Sequence, residues 1–407
     1  MTRFLSLRRL YDRFRLGSAV RRIGNPSYGL GRRRGFYKPC FEALEGRIAP
    51  ATINWIGGSG DFNDSSHWSD SSHPNGGVVP GPNDDAVINV TGITVTYSSG
   101  SDTVKSLTCH DAFLLSGGAL FVGTLQENGN TFTNTARVDV SGSLTLSNAT
   151  LYLGTSDGTA SGDLFLDSTS AQILDGADSA DPGTIIFGAS GSNAIWGQYG
   201  GSLTLGSNLT VKGADGLIYK DSGSMDMKAA LMVDPTLSGQ TTGSITVEAT
   251  NWKNDAVLTA KNGGSLTLAG GTWVNNGTIT VQDGGNLTLK GDTPGAAHAW
   301  DNTGTVSIKG GGTMTLDSSG TAADNLGWSN TGTITAAGAT TTVNLGGTFS
   351  RAALGNFTRQ GGPSDDVVNL TGIFNNAGLT QTFDSTTGSW MMNSGTNSHG
   401  TINGGTI

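Results

Sequence analysis

The sequence predicts an all-β fold, a single-stranded parallel β-helix (β-solenoid) preceded by a basic, largely unstructured N-terminal head. Three observations support this prediction: short alternating strands fill the chain after residue 50, a segment led by tryptophan recurs four times, and the composition suits thin stacked layers. Of 407 residues, 64 are glycine, 35% are hydrophobic and only 14% are charged. This is little charge for a disordered chain and little apolar content for a compact globule, whereas solenoid coils share a narrow core with their neighbours.

Residues 1–50 form the basic head. They carry twelve Lys and Arg against three acidic residues, a balance of +9, which leaves −18 for the rest of the chain. Leu7, Leu10 and Phe14 have helical spacing with arginines on the other side, but no apolar run long enough for a secretory signal or a membrane span follows them. A disordered basic tail is the simplest interpretation. Nucleic-acid binding is not expected, because no folded basic module accompanies the head.

Residues 41–52 read FEALEGRIAPAT. This run resembles the LExR-x-x-PAT segment found near the N-terminus of many large exported and cell-surface proteins of planctomycete-type bacteria. The matching residues, which we take as a targeting motif, are Leu44, Glu45, Arg47, Pro50, Ala51 and Thr52. Gly46 departs from the family, which more often has an acidic residue or proline there.

The residues that follow resemble the tryptophan-rich opening of the β-solenoid regions of those proteins. The matching residues are Trp55, Gly57, Gly58, Trp68, Pro80, Asp85, Val87 and Ile88. Together the two matches cover about residues 41–90. The resemblance implies export, an extracytoplasmic location (secreted or at the cell surface) and a β-helical domain, and it implies no catalytic activity.

Residues 51–407 are predicted to form one repeat domain. Runs such as GSLTLSNATLYLG (142–154) and GSLTLGSNLTVKG (201–213) alternate apolar and polar residues, with glycine, asparagine and aspartate between them. Alternation with a period of two and many β-branched residues indicates strands, and the intervening residues indicate turns. No amphipathic helix of useful length is expected in this region.

The most regular repeats lie in residues 252–345. Segments such as WVNNGTITVQDGGNLTL (273–289) begin at Trp252, Trp273, Trp300 and Trp328, at intervals of 21, 27 and 28 residues. Two short strands follow each tryptophan, and about this length of chain makes one turn of a parallel β-helix. A β-barrel or a β-sandwich also suits short strands, but the irregular intervals favour a solenoid, and they are too short for propeller blades.

The repeat predicts which side chains face inward. The aliphatic residues expected inside, stacked in two columns, are Ile279, Leu287, Val306, Met314, Ile334 and Val343. An asparagine stands two residues after each tryptophan, at Asn254, Asn275, Asn302 and Asn330. Repeated asparagines at one corner can form a ladder of side-chain hydrogen bonds. The four tryptophans themselves leave two interpretations: packing in the core or at a corner, or an outward glycan-binding strip that stacks on sugar rings.

The search for a reaction centre finds few candidates. Parallel β-helices host polysaccharide lyases and hydrolases, which need convergent carboxylates. The nearest matches are Asp84-Asp85, Asp365-Asp366 and the Ser398-His399-Gly400 run, and we interpret the aspartates as structural. The five histidines lack metal-ligand spacing, so no metal or cofactor is predicted. Calcium at the single glycine-rich run GGSGDF (57–62) is the weaker alternative.

These observations favour a non-enzymatic extracytoplasmic structural or adhesive surface protein, whose solenoid acts as a spacer or binding scaffold. The alternative is a glycan-binding or polysaccharide-degrading β-helix enzyme. The expected partners are polysaccharides or other cell-envelope components, together with self-association. Neither nucleic acid nor a stable membrane span is expected.

Overall fold

The computed structural model describes residues 51–109, 112–115, 119–122, 135–140, 144–146, 148–167, 169–291, 298–318, 327–338, 340–360, 366–384, 388–392, 394–395 and 398–407. All of them lie in the unit Ile48–Ile407. The basic head lies outside the described residues, so its predicted lack of structure and the predicted boundary after residue 50 stay predictions.

The described part of the chain is built almost wholly of short strands. The first thirteen are β1 (Thr52–Trp55), β2 (Gly60–Asp61), β3 (Trp68–Ser69), β4 (Asp85–Ile88), β5 (Thr94–Tyr97), β6 (Ser101–Val104), β7 (Ser106–Cys109), β8 (Ala112–Leu115), β9 (Ala119–Val122), β10 (Thr135–Val140), β11 (Leu144–Leu146), β12 (Thr150–Leu153) and β13 (Ser161–Asp167). The middle thirteen are β14 (Gln172–Gly176), β15 (Gly183–Phe187), β16 (Ala194–Gln198), β17 (Leu203–Leu205), β18 (Leu209–Gly213), β19 (Gly216–Lys220), β20 (Met225–Met227), β21 (Ala230–Val233), β22 (Gly243–Asn254), β23 (Val257–Ala260), β24 (Gly264–Asn275), β25 (Thr278–Val281) and β26 (Asn286–Leu289).

The C-terminal strands complete the series. They are β27 (His298–Asn302), β28 (Thr305–Lys309), β29 (Thr313–Leu316), β30 (Gly327–Asn330), β31 (Thr333–Ala337), β32 (Thr341–Leu345), β33 (Thr348–Ser350), β34 (Asn356–Gln360), β35 (Asp366–Leu370), β36 (Ile373–Asn375), β37 (Trp390–Met392), β38 (Ser394–Gly395), β39 (Ser398–His399) and β40 (Thr401–Asn403). One α-helical turn, α1 (Arg351–Leu354), and two 3₁₀ turns, Ser65–His67 and Pro235–Ser238, are the helical elements among the described residues.

The strands stack in parallel register on three faces, which the chain visits in turn. The first face is β6-β9-β10-β13-β16-β19-β22-β24-β26-β29-β32-β35-β37. The second is β1-β4-β7-β11-β14-β17-β20-β22-β24-β27-β30, with β33-β36-β40 as a separate sheet near the C-terminus. The third is the twelve-stranded sheet β2-β5-β8-β12-β15-β18-β21-β23-β25-β28-β31-β34. The predicted parallel β-helix is confirmed.

The core runs along the inside of the coils and follows the alternation of the sequence. In β25 and β26 the buried and partly exposed residues alternate strictly, with isoleucine, valine and leucine side chains inside and threonine and asparagine outside. The six residues predicted to lie inside are each at most 1% exposed. Ile279, Val306 and Ile334 are register partners in one column, and Leu287, Met314 and Val343 in another. Both predicted columns are confirmed.

The sequence interpretation missed one strand in each regular coil. Each tryptophan segment, read as a corner before two strands, is itself a strand on the second face. In β22 and β24 this strand is continuous with the strand on the first face, so that each spans twelve residues. The N-terminal edge also departs from the parallel pattern, because β3 pairs antiparallel with β1.

One corner explains the recurring glycine. Gly277, Gly304 and Gly332 follow the asparagines by two residues, and the backbone of one coil lies directly on that of the next. A Cβ added at Gly304 would lie 2.1 Å from the carbonyl oxygen of Gly277, and one at Gly332 would lie 2.1 Å from that of Gly304. Any side chain would therefore push the coils apart at this corner.

Candidate functional site

The four repeated tryptophans line the inside of the second face. Trp252 is 2% exposed, and Trp273, Trp300 and Trp328 are fully buried. Successive rings stack with centroids 5.0, 5.4 and 5.3 Å apart and interplanar angles of 16°, 14° and 8°. Each indole N–H donates to a main-chain carbonyl of the next coil, at distances from 2.8 to 3.1 Å.

The predicted glycan-binding strip at Trp252, Trp273, Trp300 and Trp328 is therefore wrong. A sugar cannot reach these rings, because each is at most 2% exposed and each indole N–H already donates to a main-chain carbonyl. The alternative interpretation, core packing, is the one that the structure supports. Phe349 and Phe374 extend the same stack beyond Trp328, with centroid distances of 4.8 and 5.3 Å. This extension could not be predicted from the repeat, since neither phenylalanine lies in a tryptophan-led segment.

The four asparagines form the predicted ladder. The Nδ2 of Asn254 donates to Oδ1 of Asn275, that of Asn275 to Asn302, and that of Asn302 to Asn330, each over 2.7 Å. The last amide, Asn330, donates to the carbonyl of Leu354 at the end of α1 over 3.0 Å. All four side chains are buried. Three of these side-chain amide hydrogen bonds join one asparagine to the next, while Oδ1 of Asn254 accepts from the backbone N–H of Ala256 in the same coil.

Asp84 and Asp85, the first pair of carboxylates considered for catalysis, form hydrogen bonds with neighbouring residues of the first coils. Asp84 accepts hydrogen bonds from the backbone N–H groups of Ala51 (3.1 Å) and Gly81 (2.9 Å). Asp85 contacts Lys105 Nζ over 2.8 Å and accepts from the hydroxyl of Ser106 over 2.6 Å. These bonds lower the pKa of Asp85, with the Lys105 ammonium as the largest cause. Both aspartates tie the first coils together.

Asp366 lies in the core near the C-terminal coils. Its Oδ2 is 3.9 Å from Nε of Arg359, and both side chains are almost fully buried. A buried ion pair of this kind cannot meet a polymeric substrate at the surface. The neighbouring Asp365 and the side chain of His399 lie outside what the structure describes, so the second predicted pair and the histidine run stay untested.

The weaker calcium prediction at 57–62 rests on Asp61. Its Oδ1 accepts from the backbone N–H of Asn63 over 2.9 Å, and its Oδ2 accepts from the hydroxyl of Ser98. Across the residues that the structure describes, no three His, Cys, Asp or Glu side chains are grouped closely enough to hold a metal ion.

Only the end of the predicted targeting motif falls within the described residues. Ala51 is held by Asp84, and Thr52 begins β1, where it is the register partner of Asp85. Leu44, Glu45, Arg47 and Pro50 lie outside the described residues. The motif thus leads directly into the first strand, and its targeting role stays a prediction.

An aromatic column on the outside of the first face was missed by the sequence interpretation. Phe165, Trp196 and Tyr219 are register partners on β13, β16 and β19. The rings of Phe165 and Trp196 are stacked, with centroids 6.0 Å apart and planes 7° apart, whereas Trp196 and Tyr219 meet edge to face over 5.1 Å. Phe165 is 8% exposed, while Trp196 and Tyr219 are partly exposed. We call these three residues the outer aromatic column.

The alternation of each strand places this column outside. Ile195 and Ile218, which precede Trp196 and Tyr219, are fully buried in the core. The sequences AIWGQ (194–198) and GLIYK (216–220) therefore carried a usable signal, an aromatic residue at an outward position. That signal was overlooked because 31 and 23 residues separate the three aromatics and they share no motif.

The outer aromatic column leaves polar groups available. The structure records no hydrogen bond for the indole N–H of Trp196 or the hydroxyl of Tyr219 among the described residues. In contrast, Trp55 and Trp68 of the first coil donate to the carbonyls of Gly58 and Phe62, at 3.0 and 2.6 Å, as the four buried tryptophans do to theirs. Trp196 therefore combines partial exposure with an unused donor. This column is our candidate functional site.

Comparison of the chain with models of protein families, with curated proteins and with solved structures finds no match. Within the described residues, no helix has the length and apolar character needed to cross a membrane.

Proposed function

We propose that this chain is a non-enzymatic structural or adhesive protein of the cell surface or extracellular matrix, in which the solenoid acts as a spacer and binding scaffold. The observation that carries the proposal is the pair of buried ladders in residues 252–330. Hydrogen bonds of 2.7 Å between asparagine side chains, together with stacked indole rings, join each of these coils to the next.

These ladders support a mechanical role. A solenoid is stabilised mainly by contacts between neighbouring repeats, so its resistance to fraying depends on those interfaces. Each interface between neighbouring coils in the regular region combines three contacts: a buried hydrogen bond between asparagine side chains, a stacked pair of indole rings, and a hydrogen bond from an indole N–H to a main-chain carbonyl of the next coil. Such coupling suits a protein that must hold its form outside the cell.

The outward side of the same coils supports an extracytoplasmic role. The third face carries hydroxyl side chains in register, with Thr278, Thr305 and Thr333 in one column and Thr280, Ser307 and Thr335 in the next. A flat array of uncharged hydrogen-bonding groups suits contact with hydrated polymers of the cell envelope, or with a second solenoid. The negative balance of residues 51–407 keeps the domain soluble and disfavours binding to nucleic acid.

The proposed location rests on the LExR-x-x-PAT resemblance and on the charge contrast between head and domain. It is tested by fusing residues 1–60 to a reporter in a planctomycete-type host and following the reporter by cell fractionation. We expect export with the native head and cytoplasmic retention when Glu45 and Arg47 are both replaced by alanine. The matched control replaces Arg33 and Arg34, which removes charge outside the motif and should preserve export. A reporter that stays cytoplasmic with the native head would remove the surface assignment.

The alternative of a polysaccharide lyase or hydrolase stays a prediction. It is tested by incubating the purified chain with acidic and neutral polysaccharides and assaying the release of unsaturated or reducing ends. Activity that is abolished by Asp365→Ala with an unchanged melting temperature would replace the scaffold proposal with an enzymatic one.

A further inference from the structure

We propose that the outer aromatic column of Phe165, Trp196 and Tyr219 is a binding site for an uncharged polysaccharide, with Trp196 at its centre. This inference deepens the proposed adhesive role and depends on that role for its biological setting. The binding itself is a property of the folded domain, so it can be tested separately from export.

The dimensions of the column suit a short run of linked sugar rings. Phe165 is only 8% exposed and stacks on Trp196, so the accessible rings are those of Trp196 and Tyr219, whose centroids lie 5.1 Å apart along the first face. Leu217 lies beside Tyr219 on the same strand, also facing outward and partly exposed. The apolar C–H face of a pyranose ring can cover this strip and remove both surfaces from water.

The polar groups around the column match sugar hydroxyls. The indole N–H of Trp196 is a donor, and the phenol of Tyr219 can donate or accept. Gln198 follows Trp196 at the next outward position of β16 and is partly exposed. Its carboxamide adds both a donor and an acceptor. A sugar, whose hydroxyls act in both ways, can use all of these groups, whereas an apolar partner would leave them without bonds.

The charges around the column exclude acidic polysaccharides. Glu248 is the register partner of Tyr219 on the next coil and is partly exposed. Asp221, 46% exposed, lies two residues beyond Tyr219, and Oδ1 of Asp221 is 3.5 Å from the buried Lys220 ammonium, which balances part of its charge. A polyanion would meet Glu248 directly, and the domain as a whole is negative. Like charges at a contact weaken association, so a neutral polymer is favoured.

Cross-strand packing alone does not account for Trp196. Neighbouring aromatics on a sheet stabilise it, and the Phe165 stack with Trp196 does so here. However, six of the other seven tryptophans bury the ring and pair the indole N–H with a main-chain carbonyl. The exception is Trp390, which packs edge to face against Phe374 and Phe383 and whose N–H is buried without a partner among the described residues. Trp196 is partly exposed and has no such bond, which is the arrangement expected of a ring that contacts a ligand.

The test measures binding of the purified full chain to cellulose, xylan, mannan and chitin as neutral polymers, and to pectate and alginate as acidic ones. Sedimentation with insoluble polymers and affinity electrophoresis with soluble ones give the readout. We expect binding to at least one neutral polymer, at least tenfold weaker binding by Trp196→Ala, and no binding to the acidic polymers. Thr280→Ala, at an outward position of the third face, is the matched control and should bind as the native chain does.

Two further variants keep the test decisive if Trp196→Ala perturbs the fold. Trp196→Phe keeps an aromatic ring but loses the pyrrole part of the indole with its N–H, and Tyr219→Phe removes only the hydroxyl. Each should weaken binding several-fold with an unchanged melting temperature. The bound polymer should also protect the native chain from acrylamide quenching of tryptophan fluorescence, and this protection should disappear in Trp196→Phe. Absence of binding to all four neutral polymers, equal binding to acidic ones, or native binding by the Trp196 variants would overturn the proposal. Failure of the export experiment would leave it standing.

Discussion

The inner tryptophan column of residues 252, 273, 300 and 328 and the outer aromatic column use the same side chain in opposite ways. Inside, four indoles recur in register, lie nearly parallel and donate every N–H to a neighbouring coil. Outside, a single tryptophan lies between a phenylalanine and a tyrosine, with one stacked and one edge-to-face contact and a donor left over. Repetition in this sequence therefore marks architecture, and the candidate site lies where the aromatic residues follow no repeat.

The largest expected effect separates inward from outward positions of one strand. Ile279→Asp places an unpaired carboxylate among fully buried aliphatic side chains, which we expect to cost more than about 4 kcal/mol of unfolding free energy. Thr280→Asp, the next residue on β25, points outward and should change stability by less than about 1 kcal/mol. Urea denaturation followed by circular dichroism measures both.

Equal destabilisation by the two aspartates would contradict the assignment of the strand faces. The comparison is internally controlled, because both variants add the same charge to the same strand and differ only in the side of the sheet.

The second prediction compares tryptophans of the two columns directly. Trp300→Ala removes a fully buried ring between two stacked neighbours and the bond to the Asp317 carbonyl, at an expected cost of about 3 to 5 kcal/mol. Trp196→Ala removes a partly exposed ring and should cost about 1 kcal/mol or less. Thermal melting of the two variants provides the measurement. A greater loss from Trp196→Ala would identify the outer column as the structural one.

The third prediction concerns the amide ladder. Asn275→Ala leaves the buried Oδ1 of Asn302 without its donor and removes one partner of the Asn254 amide, which should cost about 2 to 4 kcal/mol. The matched control is Asn286→Ala on the outside of the first face, where the amide contacts the Ser265 hydroxyl over 3.5 Å. That change should stay within about 0.5 kcal/mol. If the two variants lose similar amounts of unfolding free energy, burial does not determine how much these side-chain hydrogen bonds stabilise the domain.

The smallest effect is expected at a corner, as a dependence on pH. Burial raises the pKa of Asp234, but hydrogen bonds from Thr236, Asn262 and Lys261 outweigh it, so the pKa is lowered overall. A lowered pKa contributes stability that is present above the unfolded value of about 3.9 and is lost as the pH falls through the folded value. We therefore expect Asp234→Asn to destabilise the domain at pH 7, and this loss should shrink as the pH falls below about 3.9 toward the lowered pKa of the folded state.

Denaturant titrations of the native chain and Asp234→Asn at several pH values, from pH 7 to below about 3.9, give the measurement. A difference between the two proteins that grows toward low pH would contradict the assigned direction of the pKa shift.

The sequence predicted those parts of the fold that depend on periodicity. Alternation placed Ile279 and Leu287 inside, and fixed spacing placed the four asparagines at one corner, because equivalent positions of successive coils must lie on one another. The orientation of the tryptophans was not predictable in this way. A recurring indole suits an inner stack or an outer strip equally, and the choice depends on which carbonyls of the next coil can accept its N–H.

The outer aromatic column was beyond prediction for a related reason. Phe165, Trp196 and Tyr219 meet only because β13, β16 and β19 fall into register, and the lengths of the intervening corners determine that register. Those corners are irregular, so the spacing of the three residues along the chain carries no common period. Their outward direction could be read from alternation, but their contact could not.

The amide ladder has a direction as well as a strength. From Asn254 to Asn330 every carboxamide donates to the next coil, and the carbonyl oxygen of Leu354 accepts the last of these bonds. Asn275, Asn302 and Asn330 each accept from the asparagine of the preceding coil, whereas Asn254 accepts from the backbone N–H of Ala256. The amide dipoles are therefore aligned head to tail, and each polarises the next. If one carboxamide were rotated by 180°, its NH2 group would face the NH2 group of the preceding asparagine, and its Oδ1 would face the Oδ1 of the following one. The four side-chain amides can consequently reverse only together, so each amide fixes the orientation of the next one along the solenoid.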